Sequence, residues 1–240
     1  MKKCSLLFVA IIGLMTPLNA QWKWTLHAET GLNKQDVSAV TSLVQQNELD
    51  PKAYWKFAAS GGVELSYTVL KVATVFSGLG YVKTNGRYVT SQNAYNTDGS
   101  LNATYTSDKW TNADMISLPL GLQLNAWKLH IGGGVECRYR VAGSMTTNYS
   151  SIAAFASNST DLGTVVSENT NAKMDYGYFA YASFNFTKRF GCKVSYYEGQ
   201  RDLSNGFELG AWKEWMQHVG NSIFSLNNKQ MTLGLYLKIN

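Results

Sequence analysis

The residues that could carry catalytic chemistry are few in this chain. Its only histidines are His27, His130 and His218, and none has a serine and a carboxylate at a spacing that defines a triad. No group of Cys, His and Asp residues has the spacing of a metal site. Gly132–Gly134 lies inside an alternating segment, whereas a phosphate-binding loop follows a strand. The residues therefore predict no catalytic site, no metal and no cofactor, and an ordinary hydrogen-bonding role for His130.

Five charged residues take inward positions if the alternating segments are strands of a closed barrel: Glu64, Glu136, Arg138, Arg140 and Lys193. An eight-stranded barrel is only wide enough for its own side chains to fill. An unpaired ion in such an interior costs on the order of several kcal/mol. We therefore expect a salt-bridge network that plugs the lumen, in which Glu64 and Lys193 neutralise the three charges of segment 129–141. The alternative is a gated path for ions.

The tryptophans form two groups. Five lie near strand ends and predict an aromatic girdle, because indole rings prefer the headgroup level of a bilayer: Trp22, Trp24, Trp55, Trp110 and Trp127. The others belong to a stripe at helical spacing, which consists of Trp212, Trp215, Met216 and Val219. The stripe predicts packing on the barrel rim or the bilayer surface, or alternatively the binding of a partner or ligand.

The first twenty residues predict export. Lys2 and Lys3 precede the apolar run Leu6–Met15, and Ala20 is the expected last residue before cleavage. The run is too short for a membrane-spanning helix, which needs about 20 apolar residues. We therefore expect a signal peptide at 1–20 and one domain at 21–240.

The composition of segment 21–240 excludes several classes of protein. Without Lys2 and Lys3 the formal charge falls from +5 to +3, which is too small to indicate a nucleic-acid partner. Only Cys137 and Cys192 remain, too few for a fold held by disulfides. No apolar run is long enough for a membrane helix. If this segment enters a membrane, it does so as a closed barrel.

Strand-like alternation is the main structural signal. It is clearest in three segments and weaker in five: 116–124, 129–141 and 231–239, then 22–30, 57–69, 71–84, 174–187 and 191–201. In the last segment Leu233, Leu235 and Leu237 face one way, while Thr232 and Gly234 face the other. The phase of 71–84 stays open, because its apolar residues do not share one face. Eight is an even number, as single-chain outer-membrane barrels require.

The connections between these segments alternate between short and long. The short ones lie around Leu70, at 125–128 and at 188–190; the long ones are 31–56, 85–114, 142–173 and 202–229. Outer-membrane barrels have tight periplasmic turns and long extracellular loops. The sequence therefore predicts an all-β protein, an eight-stranded antiparallel up-and-down transmembrane β-barrel with short periplasmic turns and long extracellular loops.

Three of the long connections carry their own signals. Segment 86–107 predicts a hairpin around the turn Asn96–Gly99. Segment 143–173 is rich in Ser, Thr and Asn, which indicates solvated, mobile surface. Segment 36–49 predicts a short helix with Val37, Val40, Leu43 and Val44 on one face.

Several segments resemble one family. They are Met115–Leu120 with its Leu-Pro-Leu, the strand around Gly132–Gly134, Asp175–Tyr178 and Tyr196–Asn205. Together they resemble the PorT-like outer-membrane β-barrel domains over nearly all of the chain after residue 20. The resemblance implies an eight-stranded barrel similar to the OmpA and OmpX membrane domains, a group usually without known activity.

The leading functional hypothesis is an integral outer-membrane barrel with a closed lumen. It would be non-enzymatic and present surface loops for structural or adhesive interactions. One alternative is a barrel enzyme that modifies lipids at the outer leaflet, and another, implied by the resemblance alone, is an accessory barrel in protein secretion. We expect a monomer whose partners are outer-membrane lipid, the barrel-assembly machinery during biogenesis and an unknown extracellular partner, with no nucleic acid.

Overall fold

The computed structural model describes residues 21–39, 50–69, 72–153, 158–168, 173–201 and 224–239. Within these ranges the chain forms ten β-strands: β1 Gln21–Ala39, β2 Asp50–Tyr54, β3 Lys56–Val69, β4 Ala73–Tyr95, β5 Leu101–Ala126, β6 Leu129–Ala153, β7 Thr160–Glu168, β8 Met174–Asn185, β9 Phe190–Gly199 and β10 Phe224–Ile239. No helix in the same ranges is long and apolar enough to cross a membrane.

Eight of these strands close into one antiparallel ring. Its order is β1, β3, β4, β5, β6, β8, β9 and β10. The first strand closes the ring, since β1 pairs with β3 on one side and with β10 on the other, where Trp24 lies opposite Ile239. The predicted up-and-down barrel is confirmed. Each of the eight predicted segments coincides with a different strand of the ring. Where a predicted segment extends beyond the observed strand, it does so by two residues.

Side chains alternate between the lumen and the outer face as period-two geometry requires. On β5, Leu118 and Leu122 are more than half exposed, whereas Ser117 and Gly121, the residues that precede them, are buried. The outward apolar residues of β5 run from Ile116 to Leu124. At a rise of about 3.3 Å per residue and a tilt of about 40°, they cover about 20 Å of height, close to the roughly 25 Å apolar band of a membrane barrel.

The phase of β4, open in the sequence, is decided by the ring. Phe76 is buried in the lumen, while Val75 takes the outward position beside it. Val72 is exposed in the turn before the strand. Both faces of this strand thus carry apolar residues, because the large Phe76 ring points into the lumen. The sequence pattern alone could therefore not distinguish the lumen side from the outer side.

Phe76 belongs to an aromatic layer inside the barrel. Its ring centroid lies 5.9 Å from that of Phe179 and 5.7 Å from that of Tyr181. The facing wall is glycine, because a Cβ on Gly121 would come within 2.6 Å of the Phe76 ring and one on Gly132 within 2.5 Å of the Tyr181 ring. Gly121 of β5 and Gly132 of β6 thus make room for the rings.

The two ends of the barrel differ. At one end the connections are short, with Trp127 and Lys128 joining β5 to β6 and Phe186–Arg189 joining β8 to β9. Trp127 has a φ of 55°, the left-handed conformation that a turn this tight requires. At the other end the connections are long. There some strands, such as β4 and β5, continue beyond the apolar band.

The predicted hairpin between β4 and β5 is confirmed. Its turn begins at Asn96, whose backbone N–H donates to the Ser100 carbonyl at 2.8 Å, and Gly99 takes a φ of 82°. The hydroxyl and backbone N–H of Ser100 donate to Asp98, which lowers the pKa of that carboxyl. This hairpin extends the barrel wall beyond the apolar band.

The strands extend much further into 85–114 and 142–173 than predicted, and the mobile surface expected at 143–173 is largely wrong. β4 and β5 remain paired up to the 96–100 turn, β6 continues to Ala153, and β7 adds a further strand to β6. Met145 and Thr147 are buried at alternate positions, and the β-branched Thr and Val residues of this region suit strands. The described parts of 143–173 are therefore mostly sheet instead of mobile surface.

Two further predictions concern the long connections and the N-terminus. The helix expected at 36–49 is wrong for 36–39, which belongs to β1 and pairs with β10. Residues 40–49 lie outside the described ranges. So do the signal peptide at 1–20 and the stripe of Trp212, Trp215, Met216 and Val219.

Candidate functional site

The lumen contains an ion cluster built from three strands. Lys193 projects inward from β9, and its Nζ lies 3.2 Å from Oε1 of Glu29 on β1 and 3.1 Å from Oε1 of Glu64 on β3. The three side chains are 10%, 5% and 13% exposed, respectively. The Tyr181 ring lies 4.6 Å from the same ammonium group. Because water screens buried charges little, each ion depends on its partners.

Glu29 is the best-bound carboxylate of this cluster. The Ser195 hydroxyl donates to its Oε2 at 2.8 Å, and the Thr232 hydroxyl donates to the same oxygen. His27 lies between the two carboxylates, with Nδ1 3.1 Å from Glu29 and Nε2 3.8 Å from Glu64. Charge-assisted hydrogen bonds of this kind are stronger than neutral ones and hold the side chains in place.

A second cluster surrounds Arg138 on β6. Its Nε donates to Glu136 at 2.8 Å and its Nη1 to Gln230 at 2.6 Å. The guanidinium lies 3.5 Å from the centroid of the Tyr197 ring. Nearby, Asp175 accepts a hydrogen bond of 3.1 Å from Asn228. The guanidinium is thus held by a carboxylate, an amide and an aromatic face.

The structure places the five predicted lumen charges as follows. Glu64 and Lys193 are in the first cluster, Glu136 and Arg138 in the second. The expected partners were wrong, because Glu64 and Lys193 pair with each other instead of neutralising the charges of β6. Arg140 lies opposite Met115, beside a bulge where the register between β5 and β6 shifts.

Glu29, Asp175 and Gln230 belong to these clusters but were not among the predicted lumen residues. Alternation identifies each of them, since Glu29 continues the inward phase that follows from an outward Leu26. Asp175 and Gln230 each precede an outward residue, Tyr176 and Met231 respectively. Glu29 and Asp175 lie inside the predicted segments 22–30 and 174–187 and were overlooked there, whereas Gln230 lies one residue before the segment 231–239.

The space left between the clusters is small. A lumen cavity of about 50 Å³ is lined by charged residues of both clusters and by Phe179. Since one water needs at least 10–15 Å³ of such volume, at most about three to five waters fit there. That volume suits bound water and is too small for a lipid or peptide substrate.

A third polar group closes the short-turn end. His130 Nε2 contacts the Asn185 side-chain nitrogen and lies 3.5 Å from Lys238 Nζ. Asn185 Oδ1 accepts hydrogen bonds from Tyr236 at 2.7 Å and from Lys238 at 2.8 Å. These neighbours of His130 are an amide and an ammonium group, whereas a catalytic triad requires a carboxylate. His218 lies outside the described ranges.

Metal ligands and cysteines give no further site in the described part of the chain. No group of three or more His, Cys, Asp and Glu residues there could hold a metal ion. Cys137 and Cys192 are free. In the strand register Cys137 lies opposite Tyr176 and Cys192 lies opposite Phe184. Tyr176 and Phe184 are eight residues apart, near opposite ends of β8. This separation corresponds to about 26 Å along the strand.

The girdle tryptophans lie at two levels on the outer face. At the short-turn end, Trp22, Trp24 and Trp127 are each more than half exposed, and the Trp22 ring packs 4.8 Å from that of Tyr67. At the other end, Trp55 and Trp110 are about 40% exposed. Two levels are the arrangement expected at two interfaces of a bilayer.

Comparison with known proteins identifies no family. No family model and no curated protein matches the chain, so the PorT-like resemblance stays a prediction. Among solved structures, the chain is similar to Neisserial surface protein A, with 8% identity over 90% of this chain and 97% of that chain and a TM-score of 0.35.

Two further solved structures are similar at the same level. Ail of Yersinia pestis is 9% identical over 90% of this chain and 99% of that chain, with a TM-score of 0.35. The outer membrane protease OmpT from Escherichia coli is 9% identical over 93% of this chain and 99% of that chain, with a TM-score of 0.42. The assignment of an eight-stranded barrel therefore rests on the strand register and closure of this chain.

Proposed function

We propose that this protein is an integral outer-membrane β-barrel with a closed lumen, whose surface loops make structural or adhesive contacts without catalysis. The observation that carries the proposal is the inversion of polarity in the wall. Leucines cover the outer face, while ion pairs fill the interior. A water-soluble barrel would have the opposite arrangement.

Membrane insertion follows from the outer face and the closed ring. Leu122, Leu233 and Leu235 are among many outward apolar side chains that are more than half exposed. Monomeric soluble proteins rarely expose apolar patches larger than a few hundred Å². The ring also leaves no unpaired edge between its first and last strands, which a lipid environment requires.

Subcellular location is the first test. Membrane fractionation of expressing cells, followed by gel electrophoresis of boiled and unboiled samples, should place the protein in the outer membrane. The unboiled protein should migrate differently, because a folded barrel resists the detergent. Recovery in the soluble periplasmic fraction, or identical migration of the two samples, would contradict the proposal.

The adhesive role is tested on the β4–β5 hairpin. A variant in which 90–107 is replaced by Asn-Gly joins Val89 to Asp108, which are paired in the intact hairpin. We expect the shortened protein to insert normally and cells displaying it to attach less well than cells displaying the full chain. Unchanged attachment would show that this hairpin does not make the contact.

The absence of catalysis is tested separately. Refolded protein should release no fatty acid from phospholipid or lipopolysaccharide vesicles. Any release by the unchanged protein would contradict the proposal, and its loss in His218→Ala, in the long connection 202–229, would support the lipid-modifying alternative.

A further inference from the structure

A groove crosses the outer face of the barrel just beyond the apolar band, on the side of the long connections. Its volume is about 280 Å³, and its walls come from β3, β4, β5 and β6. The strand register explains its shape. Asn85 lies opposite Asn112, which lies opposite Ser144, and in the next outward row Trp110 lies opposite Thr146. Polar side chains therefore line the floor of the groove.

A bulge directs Lys56 into this groove. Tyr54 lies opposite Arg87, and Ala58 lies opposite Thr84. The chain therefore advances four residues between Tyr54 and Ala58, whereas the neighbouring strand β4 advances only three between Thr84 and Arg87. The extra residue breaks the alternation between β2 and β3. As a result Lys56 Nζ lies 4.2 Å from the centroid of the outward Trp110 ring.

The groove has an uncompensated positive charge. The Arg87 guanidinium also lies over the Trp110 ring, 4.6 Å from its centroid, but Asp108 neutralises it through hydrogen bonds of 3.0 and 2.8 Å. Among the side chains that the structure describes, Lys56 has no carboxylate partner, and its contact is the Trp110 ring. A ring orients an ammonium group but leaves its N–H donors available to an anion.

The lower edge of the groove is apolar. Phe57 lines it, is 53% exposed and lies opposite Leu32 at the end of the apolar band. The surface thus offers an apolar contact on its membrane side and, above it, an ammonium group with the Asn85 amide and the hydroxyls of Ser144 and Thr146. A lipid is complementary to this surface, because its acyl chain would contact the apolar edge. Its anionic headgroup, above the chain, would accept hydrogen bonds from the polar groups.

We propose that this groove binds the phosphate of an anionic lipid headgroup in the outer leaflet, with Lys56 as the cation that recognises it. The inference rests on the proposed insertion into the outer membrane. Phosphate fits because its oxygens accept hydrogen bonds from an ammonium group and from neighbouring hydroxyls at once. The lipid, instead of a free anion, supplies the contact with Phe57.

Native mass spectrometry of the full chain refolded in neutral detergent measures the binding, with bisphosphoryl lipid A as the probe. Lys56→Gln should weaken binding about tenfold, since one charge-assisted contact is lost. Lys56→Arg keeps the charge and should bind like the unchanged protein. Lys34→Gln is the matched control, because Lys34 is already paired with Asp36 at 2.9 Å, and should leave binding unchanged.

Two further arms identify the source of the phosphate. Dephosphorylated lipid A should bind the unchanged protein as weakly as lipid A binds Lys56→Gln, and inorganic phosphate should not displace lipid A. Equal binding of lipid A by Lys56→Gln, equal binding of the dephosphorylated lipid, or displacement by inorganic phosphate would each overturn the inference. Failure of the unchanged protein to show heat-modifiable migration would instead contradict the proposed function.

Discussion

Replacement of Lys193 by methionine tests whether the lumen cluster holds the barrel together. Methionine is unbranched and only one atom shorter than lysine, and it removes the charge that lies 3.2 Å from Glu29 and 3.1 Å from Glu64. Both carboxylates would then remain in an interior where they are 5% and 13% exposed. Breaking a buried ion pair in this way costs about 3–5 kcal/mol, because the remaining charge loses its compensation. We expect Lys193→Met to reduce the free energy of unfolding by that amount.

The assay is urea-dependent unfolding in lipid vesicles, followed by tryptophan fluorescence. The double variant Glu64→Gln/Lys193→Met removes one carboxylate as well and should be less destabilised than the sum of the single variants by about 1–3 kcal/mol. Lys34→Met is the control for loss of a lysine, since its pair with Asp36 is more exposed and is worth about 0–1 kcal/mol.

Two results would refute this reasoning. One is a loss below about 1 kcal/mol for Lys193→Met, the value of an exposed pair. The other is strict additivity in the double variant, which would mean that Glu64 and Lys193 do not interact in the folded barrel.

The remaining predictions concern the outer face, the cysteines and the lumen. Leu235 is outward and 52% exposed, so Leu235→Arg should cost about 2–4 kcal/mol near mid-depth and impair assembly; normal folding of this variant in bilayers would contradict the outward assignment. Cys137 and Cys192 should stay free thiols, so that denatured protein migrates equally with and without reductant, and a redox-dependent shift of the monomer would contradict the strand order. In planar-bilayer recordings the refolded protein should not conduct, because ions would have to break both lumen clusters; stable channels with porin-like conductance would contradict a closed lumen.

Much of the barrel could be predicted from the sequence, because a strand has a side-chain period of two and a barrel wall has only two faces. The outward leucines of 116–124 and 231–239 alternate with small or polar residues, and this alternation alone assigns lipid and lumen sides. Short connections imply neighbouring antiparallel strands, so three of the neighbouring pairs in the ring followed from their spacing. These properties depend on local sequence, and the structure agrees with them.

The tertiary structure alone decided which lumen residues meet. Lys193 and Glu64 are 129 residues apart in the chain, and Arg138 and Gln230 are 92 apart, yet each pair is in contact. The alternation of a strand predicts that such residues point inward. Their position along the barrel axis and their partner across the lumen depend on strand register and on closure of the ring. The same holds for the bulge that turns Lys56 toward Trp110. A pattern along one strand contains no information about the strand opposite, so partners across the lumen and between strands are decided only when the barrel closes.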